Sequence, residues 1–461
     1  MKLVAYVTTG NPKLDALVVD LRAILERYRT ASELRFEYAI VDTTRDERAQ
    51  ARARKAGLTP FALLTGDGEA PDELSGHMGI AIDYGAEHAT KTLTPQHANG
   101  LEFAVATKIR EVRLLGEGKK HRIGVLTGHD ELLLSEPNLV PATQPQKPNM
   151  RGILAQYFPF YELIDVELDE GRNAAIDPSL EGLIITQPAK DLTDRELARI
   201  DDFVVHGRSL GVVASAVNVA AGDSSMSATL STHRLENLLG EYGFELRKDV
   251  VEEFGHPFRI NVISGASAQP LTMRFPAILD VEGDEHFTGR EALLDAASPI
   301  FFRLPHILFP YASSLVIHPE KQPDARDGFR VHASSTPKAM RETTANVDLK
   351  VVRQWRPVGE FAQYDVAASV QGPLRNAFPG PSPRVRTASP RSSRVLVIAS
   401  SQFFANPFAR AAGGDEALEQ LAMPYAQQIL THTILVARNM VEWMTLDDDL
   451  VACARTPNGA R

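Results

Sequence analysis

Over about the first 112 residues, short apolar runs alternate with amphipathic stretches. Leu3–Val7 reads as a buried strand, closed by the turn-forming Thr8-Thr9-Gly10-Asn11-Pro12. Leu14, Leu17, Val18, Leu21, Ile24, Leu25 and Tyr28 then recur at helical spacing and mark one apolar face. Phe36, Tyr38 and Ile40 alternate within Leu34–Val41, which predicts a second strand. A charged helix follows from Thr44 to Ala56, stopped by Gly57. Two further strands are expected near Pro60–Thr65 and Met78–Tyr84, joined through Gly66-Asp67-Gly68-Glu69, and a helix over Asn99–Arg110 closes the block.

The next block opens with the strand His121–Leu126 running into Thr127-Gly128. Gly152–Phe158 predicts a short helix and Tyr161–Leu168 a strand. Leu183–Thr186 is apolar throughout, and Thr193-x-x-Glu196 has the spacing of a capping box, in which hydroxyl and carboxylate each satisfy a backbone N–H. Leu197, Ile200, Phe203 and Val204 supply that helix with a buried face, Gly207 ends it, and Leu210–Ala214 is again a buried strand. Strand, capped helix and strand in so short a span form a βαβ unit, the signature of a parallel sheet covered on both faces. A helix over Thr232–Tyr242 follows. Arg394–Ser401 is one more strand of this kind, expected to rejoin the sheet, with a long helix after it.

Between these parts the pattern changes to short alternating runs: Phe258–Ile263, Ile300–Phe302, Ser314–Ile317, Phe329–His332, Val347–Val352 and Asp365–Val370. The expected organisation is therefore α/β. An N-terminal domain spans 1–115, a parallel-sheet domain takes 116–250 and 391–450, a β-rich insertion takes 251–380, a Pro/Ser linker 381–390, and a flexible tail 451–461.

The β-α-β-α-β-β-α order of the N-terminal block resembles a thioredoxin-like fold. That chemistry needs a thiolate at the start of the first helix, where this chain has Thr8-Thr9-Gly10-Asn11-Pro12. A scaffold or binding module is what remains. The single cysteine, Cys453, also excludes an intrachain disulfide and every multi-cysteine metal motif. A net charge of −10 gives no general attraction to phosphate backbones. No run reaches the ~18–20 apolar residues that a bilayer span needs.

The order of segments resembles the extracytoplasmic region of the gliding-motility-type auxiliary component of ABC transporters. Its central part is similar to the amidotransferase-like, flavodoxin-like domain also found in intraflagellar-transport protein 52. The stretches that carry the likeness are Phe36–Asp42, Ala56–Pro60, Gly79–Gly85, Leu101–Phe103, Gly182–Ile185, Leu192–Glu196, Leu238–Phe244, Ser334–Pro337, Arg394–Ser401 and Asn439–Met444. The resemblance implies a non-catalytic subunit on the periplasmic side of a bacterial inner membrane, held there by helices flanking this region. It also implies a permease and an ATPase as partners. The expected role is to couple transport to an envelope protein or to recognise an envelope glycan, and no cofactor is expected.

An amidotransferase-like domain invites a search for a nucleophile. No cysteine occupies the turn after Leu210–Ala214; Ser215 is there instead, with His206 or His233 as conceivable bases, but without the Gly-x-Ser-x-Gly elbow. A degenerate hydrolase using Ser215 is thus one alternative, and a periplasmic carbohydrate-binding module another. Gly124-x-x-x-Gly128 lacks the third glycine of a dinucleotide fingerprint, and no Gly-Lys-Ser/Thr follows it. The thirteen histidines include no His-Glu-x-x-His. Asp280, Glu282, Asp284, Glu285 and His286 depart from a calcium loop. Ligands of open α/β sheets gather beyond the C-terminal strand ends. The expected ligand-binding residues are therefore Gln187, Ser215, Asn218, Ser400, Ser401 and Gln402, with Asp223–Ser227 in a neighbouring loop.

Overall fold

The computed structural model describes residues 1–32, 35–65, 72–94, 101–172, 175–263, 270–283, 293–295, 297–302, 304–378 and 392–445. Met1–Lys120 forms one compact unit and His121–Leu446 another. Asp284, Glu285 and His286, the linker 381–390, Asp447–Asp449 and Cys453 lie outside the described residues.

The first unit runs β1 (Lys2–Val7), α1 (Pro12–Ala31), β2 (Glu37–Asp42), α2 (Glu47–Lys55), β3 (Phe61–Thr65), β4 (Asp72–Gly76), β5 (Gly79–Tyr84), β6 (Glu87–Thr92) and α3 (Leu101–Gly116). Its sheet has the order β2-β1-β5-β6, with β1 parallel to β2 and antiparallel to β5. Because side chains alternate along a strand, Leu3, Ala5 and Val7 face the apolar sides of α1 and α3, while Tyr6 and Ala81 face Ala53 of α2. The expected strand at residues 60–65 exists but pairs with β4 as a separate hairpin; the hairpin of the four-stranded sheet is β5–β6. At the turn where a redox fold keeps its thiolate, Thr8 Oγ1 lies 2.9 Å from Thr43 Oγ1 and 3.0 Å from the His77 carbonyl.

The second unit begins β7 (His121–Thr127), α4 (Met150–Tyr157), β8 (Tyr161–Glu167), β9 (Gly182–Thr186), α5 (Asp194–Val205), β10 (Ser209–Val213), β11 (Val217–Val219), β12 (Ser227–Leu230), α6 (Leu235–Leu239) and β13 (Phe244–Leu246). It continues β14 (Val250–Glu253), β15 (Pro257–Ile263), β16 (Pro270–Glu282), β17 (His306–Pro310), β18 (Leu315–Ile317), β19 (Arg330–Ser334), β20 (Ala339–Glu342), β21 (Asn346–Asp348) and β22 (Asp365–Gly372). It ends β23 (Ser393–Ile398), α7 (Pro407–Ala411) and α8 (Glu416–Thr445).

The main sheet has the order β13-β18-β22-β23-β10-β9-β7-β8, with β19 beside β22. From β23 to β8 every pairing is parallel, so β23 does return to this sheet. The far half is antiparallel, and β18, β19 and β22, which come from residues 251–380, belong to it. The run Ile300–Phe302 forms no strand; Ile300 and Phe301 are buried in a turn.

Helix α5 starts as its sequence predicts: Thr193 and Glu196 form the complete capping box. Its buried face meets Leu183, Ile185, Leu210 and Val212 on one side of the sheet. On the other side, a Cβ at Gly182 would lie 2.6 Å from Met444 Cε, and one at Gly211 3.3 Å from Met444 Sδ. The two glycines thus let α8 settle close against β9 and β10.

Candidate ligand-binding cleft

The chain leaves β7, builds β8 at the sheet edge through α4, and returns to form β9 on the opposite side of β7. The connections after β7 and β9 therefore diverge, and a crevice opens beyond the C-terminal ends of these strands. A cleft of about 1070 Å³ lies there, walled by the loops after β7, β9 and β23 and by the β11–β12 hairpin. No helix begins between β7 and Met150. Gly128, at φ +113°, turns the chain away from the sheet without placing a helix N-terminus over the cleft, which removes the usual phosphate cradle.

The walls are fastened by buried polar groups. His129 N–H donates to Glu131 Oε2 at 2.9 Å, and the imidazole lies 3.2 Å from Glu131 Oε1 and 3.1 Å from Glu196 Oε1. The His129 carbonyl accepts from the Ala189 and Lys190 N–H groups, which stitches the loop after β7 to the loop after β9. The bond to Glu131, and then that to Glu196, hold the His129 imidazole above its usual range against the opposing effect of burial. Burial pushes Glu196 upward, but bonds from Thr193 and His129 outweigh it and keep the carboxyl below the usual range.

Of the six residues expected from the sequence, Gln187, Asn218, Ser401 and Gln402 line the cleft. Ser215 and Ser400 lie beneath it, fully committed. Ser215 Oγ donates to the Tyr311 carbonyl at 2.8 Å and accepts from Val217 N–H at 3.1 Å; Ser400 Oγ donates to the Pro310 carbonyl at 2.6 Å. Gln187 Oε1 accepts from Ser215 N–H, and its Nε2 donates to Asn218 Oδ1, both at 2.8 Å. His233 Nε2 donates to the same Asn218 oxygen at 3.1 Å, while its Nδ1 meets Asp191 at 2.9 Å. A ring nitrogen that donates to Asn218 cannot take a proton from Ser215. His206 stands at the C-terminal end of α5, at the opposite edge of the sheet, with its Nδ1 on the Asp202 carbonyl.

Ser401 and Gln402 differ from their neighbours. They are 3% and 2% exposed, yet neither Ser401 Oγ nor Gln402 Oε1 has a hydrogen-bond partner. A buried unpaired polar atom costs about 1–3 kcal/mol, and here two such atoms belong to consecutive residues that line the cleft. Sequence reasoning missed Glu131, His129 and Arg410. Arg410 reaches the cleft from α7, its guanidinium donating to the Val219 carbonyl at 2.8 Å. Among the described residues no group of three or more His, Cys, Asp or Glu side chains is arranged to hold a metal ion. Asp280 and Glu282, from the acidic run, instead meet His306 at 2.8 Å and His256 at 2.9 Å.

Residues 120–429, two thirds of the chain, match the family described as ABC-type uncharacterized transport system. The chain belongs to that family. As a family member it is an auxiliary component of an ABC-type transport system, and the matched segment contains the whole cleft. No curated protein matches the chain in sequence. It is similar to a solved chain described as mmIFT52 N-terminal domain, at 10% identity and a TM-score of 0.34, over 71% of this chain and 98% of that one. So slight a likeness carries no argument.

Proposed function

We propose that this chain is a non-catalytic recognition subunit of its ABC-type transport system. It works on the periplasmic side with a permease and an ATPase, and is linked to gliding motility. The family match over residues 120–429 carries the transport assignment. Recognition rather than reaction is supported by the Ser215 hydroxyl beneath the cleft, which is bound to a carbonyl and an N–H, and by Ser401 and Gln402 in the lining, each with a buried polar atom that has no hydrogen-bond partner. The first unit, thioredoxin-like in strand order, serves as a scaffold. Among the described residues no helix is long and apolar enough to cross a membrane.

The test is to express the tagged chain in its native host, solubilise the membranes in mild detergent, and identify what co-purifies. A permease and an ATPase recovered in stoichiometric amounts support the proposal. Intact, folded chain recovered without either contradicts it.

A further inference from the structure

We infer that the outward face of α2, in the first unit, docks on an anionic phospholipid surface. The stretch from Arg45 to Lys55 carries Arg45, Arg48, Arg52, Arg54 and Lys55 against only Asp46 and Glu47, a local surplus of three positive charges in a chain whose total is −10. The helix is fixed from its other side: Ala49 and Ala53 are buried, and Ala53 packs with Tyr6 and Ala81 of the sheet. Asp46 is spent as the N-cap, accepting from the Arg48 and Ala49 N–H groups. All five cations are exposed, and among the described residues none of them forms an ion pair or donates a side-chain hydrogen bond.

The helix itself accounts for only part of this arrangement. Cations in the last turn suit the negative end of the helix dipole, which covers Arg52, Arg54 and Lys55. Arg45 and Arg48 stand at the positive end, where the dipole disfavours them. Arg48, Arg52 and Lys55 follow at spacings of four and three, so they share one stripe and repel one another with no carboxylate between them. A surface of opposite charge relieves that repulsion. The stripe is convex, runs about 10 Å along the helix axis, and holds no aromatic side chain on which a base could stack. Those features favour a broad layer of headgroups over a nucleic acid. Clusters of roughly four to eight Lys and Arg are what anionic leaflets attract, and an auxiliary component of an ABC-type transport system works beside a membrane.

Vesicle co-sedimentation of the whole chain tests this, with phosphatidylcholine vesicles made with and without phosphatidylglycerol. The chain should sediment with the phosphatidylglycerol vesicles, stay in solution beside the neutral ones, and detach at high salt. Each cation near an anionic surface is worth roughly fivefold in partitioning, so Arg48→Gln with Arg52→Gln should weaken binding about 25-fold. Glutamine is a good helix former, so both changes leave α2 folded, as circular dichroism would verify. Lys119→Gln with Lys120→Gln, which removes equal charge from exposed positions beyond α3, should leave binding unchanged. Sedimentation with neither vesicle, or with both alike, overturns the proposal, as does equal loss in the two double variants. Tighter binding to poly-glutamate than to the vesicles also overturns it and gives the face to an acidic protein instead.

Discussion

Glu196 is the residue whose loss should be felt most, because one buried carboxylate serves three elements. It is 1% exposed. Its Oε2 accepts from the Thr193 N–H at 2.8 Å and the Thr193 hydroxyl at 2.9 Å; its Oε1 accepts from the Glu170 N–H at 3.0 Å and lies 3.1 Å from His129 Nε2. Glu196→Ala removes half of a capping box, worth about 1 kcal/mol. It also leaves the His129 ring with a single carboxylate, and breaking a buried charged pair from one side costs about 3–5 kcal/mol. Since Glu131 remains, a total near 3 kcal/mol is expected.

Both tryptophans, Trp355 and Trp443, belong to the second unit, so urea unfolding followed by tryptophan fluorescence reports on that unit alone. The loss should also depend on pH. His129 has a raised pKa in the folded chain, so its stabilisation is complete below the ordinary imidazole value of 6.5 and fades as pH rises through the folded value. Glu196 has a lowered pKa, so its share is complete above the ordinary 4.5 and is lost as pH falls through the folded value. The difference between wild type and Glu196→Ala should therefore be greatest between pH 4.5 and 6.5 and shrink above. A destabilisation under about 1 kcal/mol, or one that grows with pH above 6.5, refutes the fastening described for His129.

Gly182→Val should cost about 1–3 kcal/mol, because its Cβ would meet Met444 Cε at 2.6 Å and the Ser209 carbonyl at 3.1 Å, pushing the buried Met444 side chain aside; an unchanged unfolding midpoint contradicts that packing. Burial, and then its bond with Glu342, push Glu252 up to about 7. The folded chain then keeps a proton that the unfolded chain gives up near 4.5, so stability falls as pH rises across that window. Glu252→Gln should match wild type near pH 5 and exceed it near pH 8 by up to ~3 kcal/mol; equal stabilities at both pH values in thermal unfolding argue against it.

The parts of the fold written in local pattern were legible in the sequence. The capping box at Thr193 and Glu196, the apolar runs of β9, β10 and β23, and the face of α1 each follow from spacing within a few residues. What escaped depends on partners distant in sequence. β16 carries Pro270 and Pro276, which interrupt its alternation, yet it runs for 13 residues, pairing Pro270–Phe275 and Leu279 with β15 and Ile278–Glu282 with β17. The edge strand β6 is half-exposed and polar, and only its pairing with β5 reveals it.

The same divide runs through the cleft. The rule that ligands gather at the strand ends was enough to pick out four residues that the structure places on the cleft wall, Gln187, Asn218, Ser401 and Gln402. It could not show that Ser215 and Ser400 point to the carbonyls of Tyr311 and Pro310, which come from a stretch about 90 residues away. Nor does a His-x-Glu in a loop have any periodicity to announce that Glu196, more than 60 residues on, completes its surroundings.

If the cleft serves transport by recognition, the most direct measurement is the ATPase rate of the co-purified transporter, reconstituted with wild-type chain or with Asn218→Ala or Asp223→Asn. Both variants should assemble normally but change the rate several-fold. Identical rates from fully assembled complexes would place the working surface elsewhere on the chain.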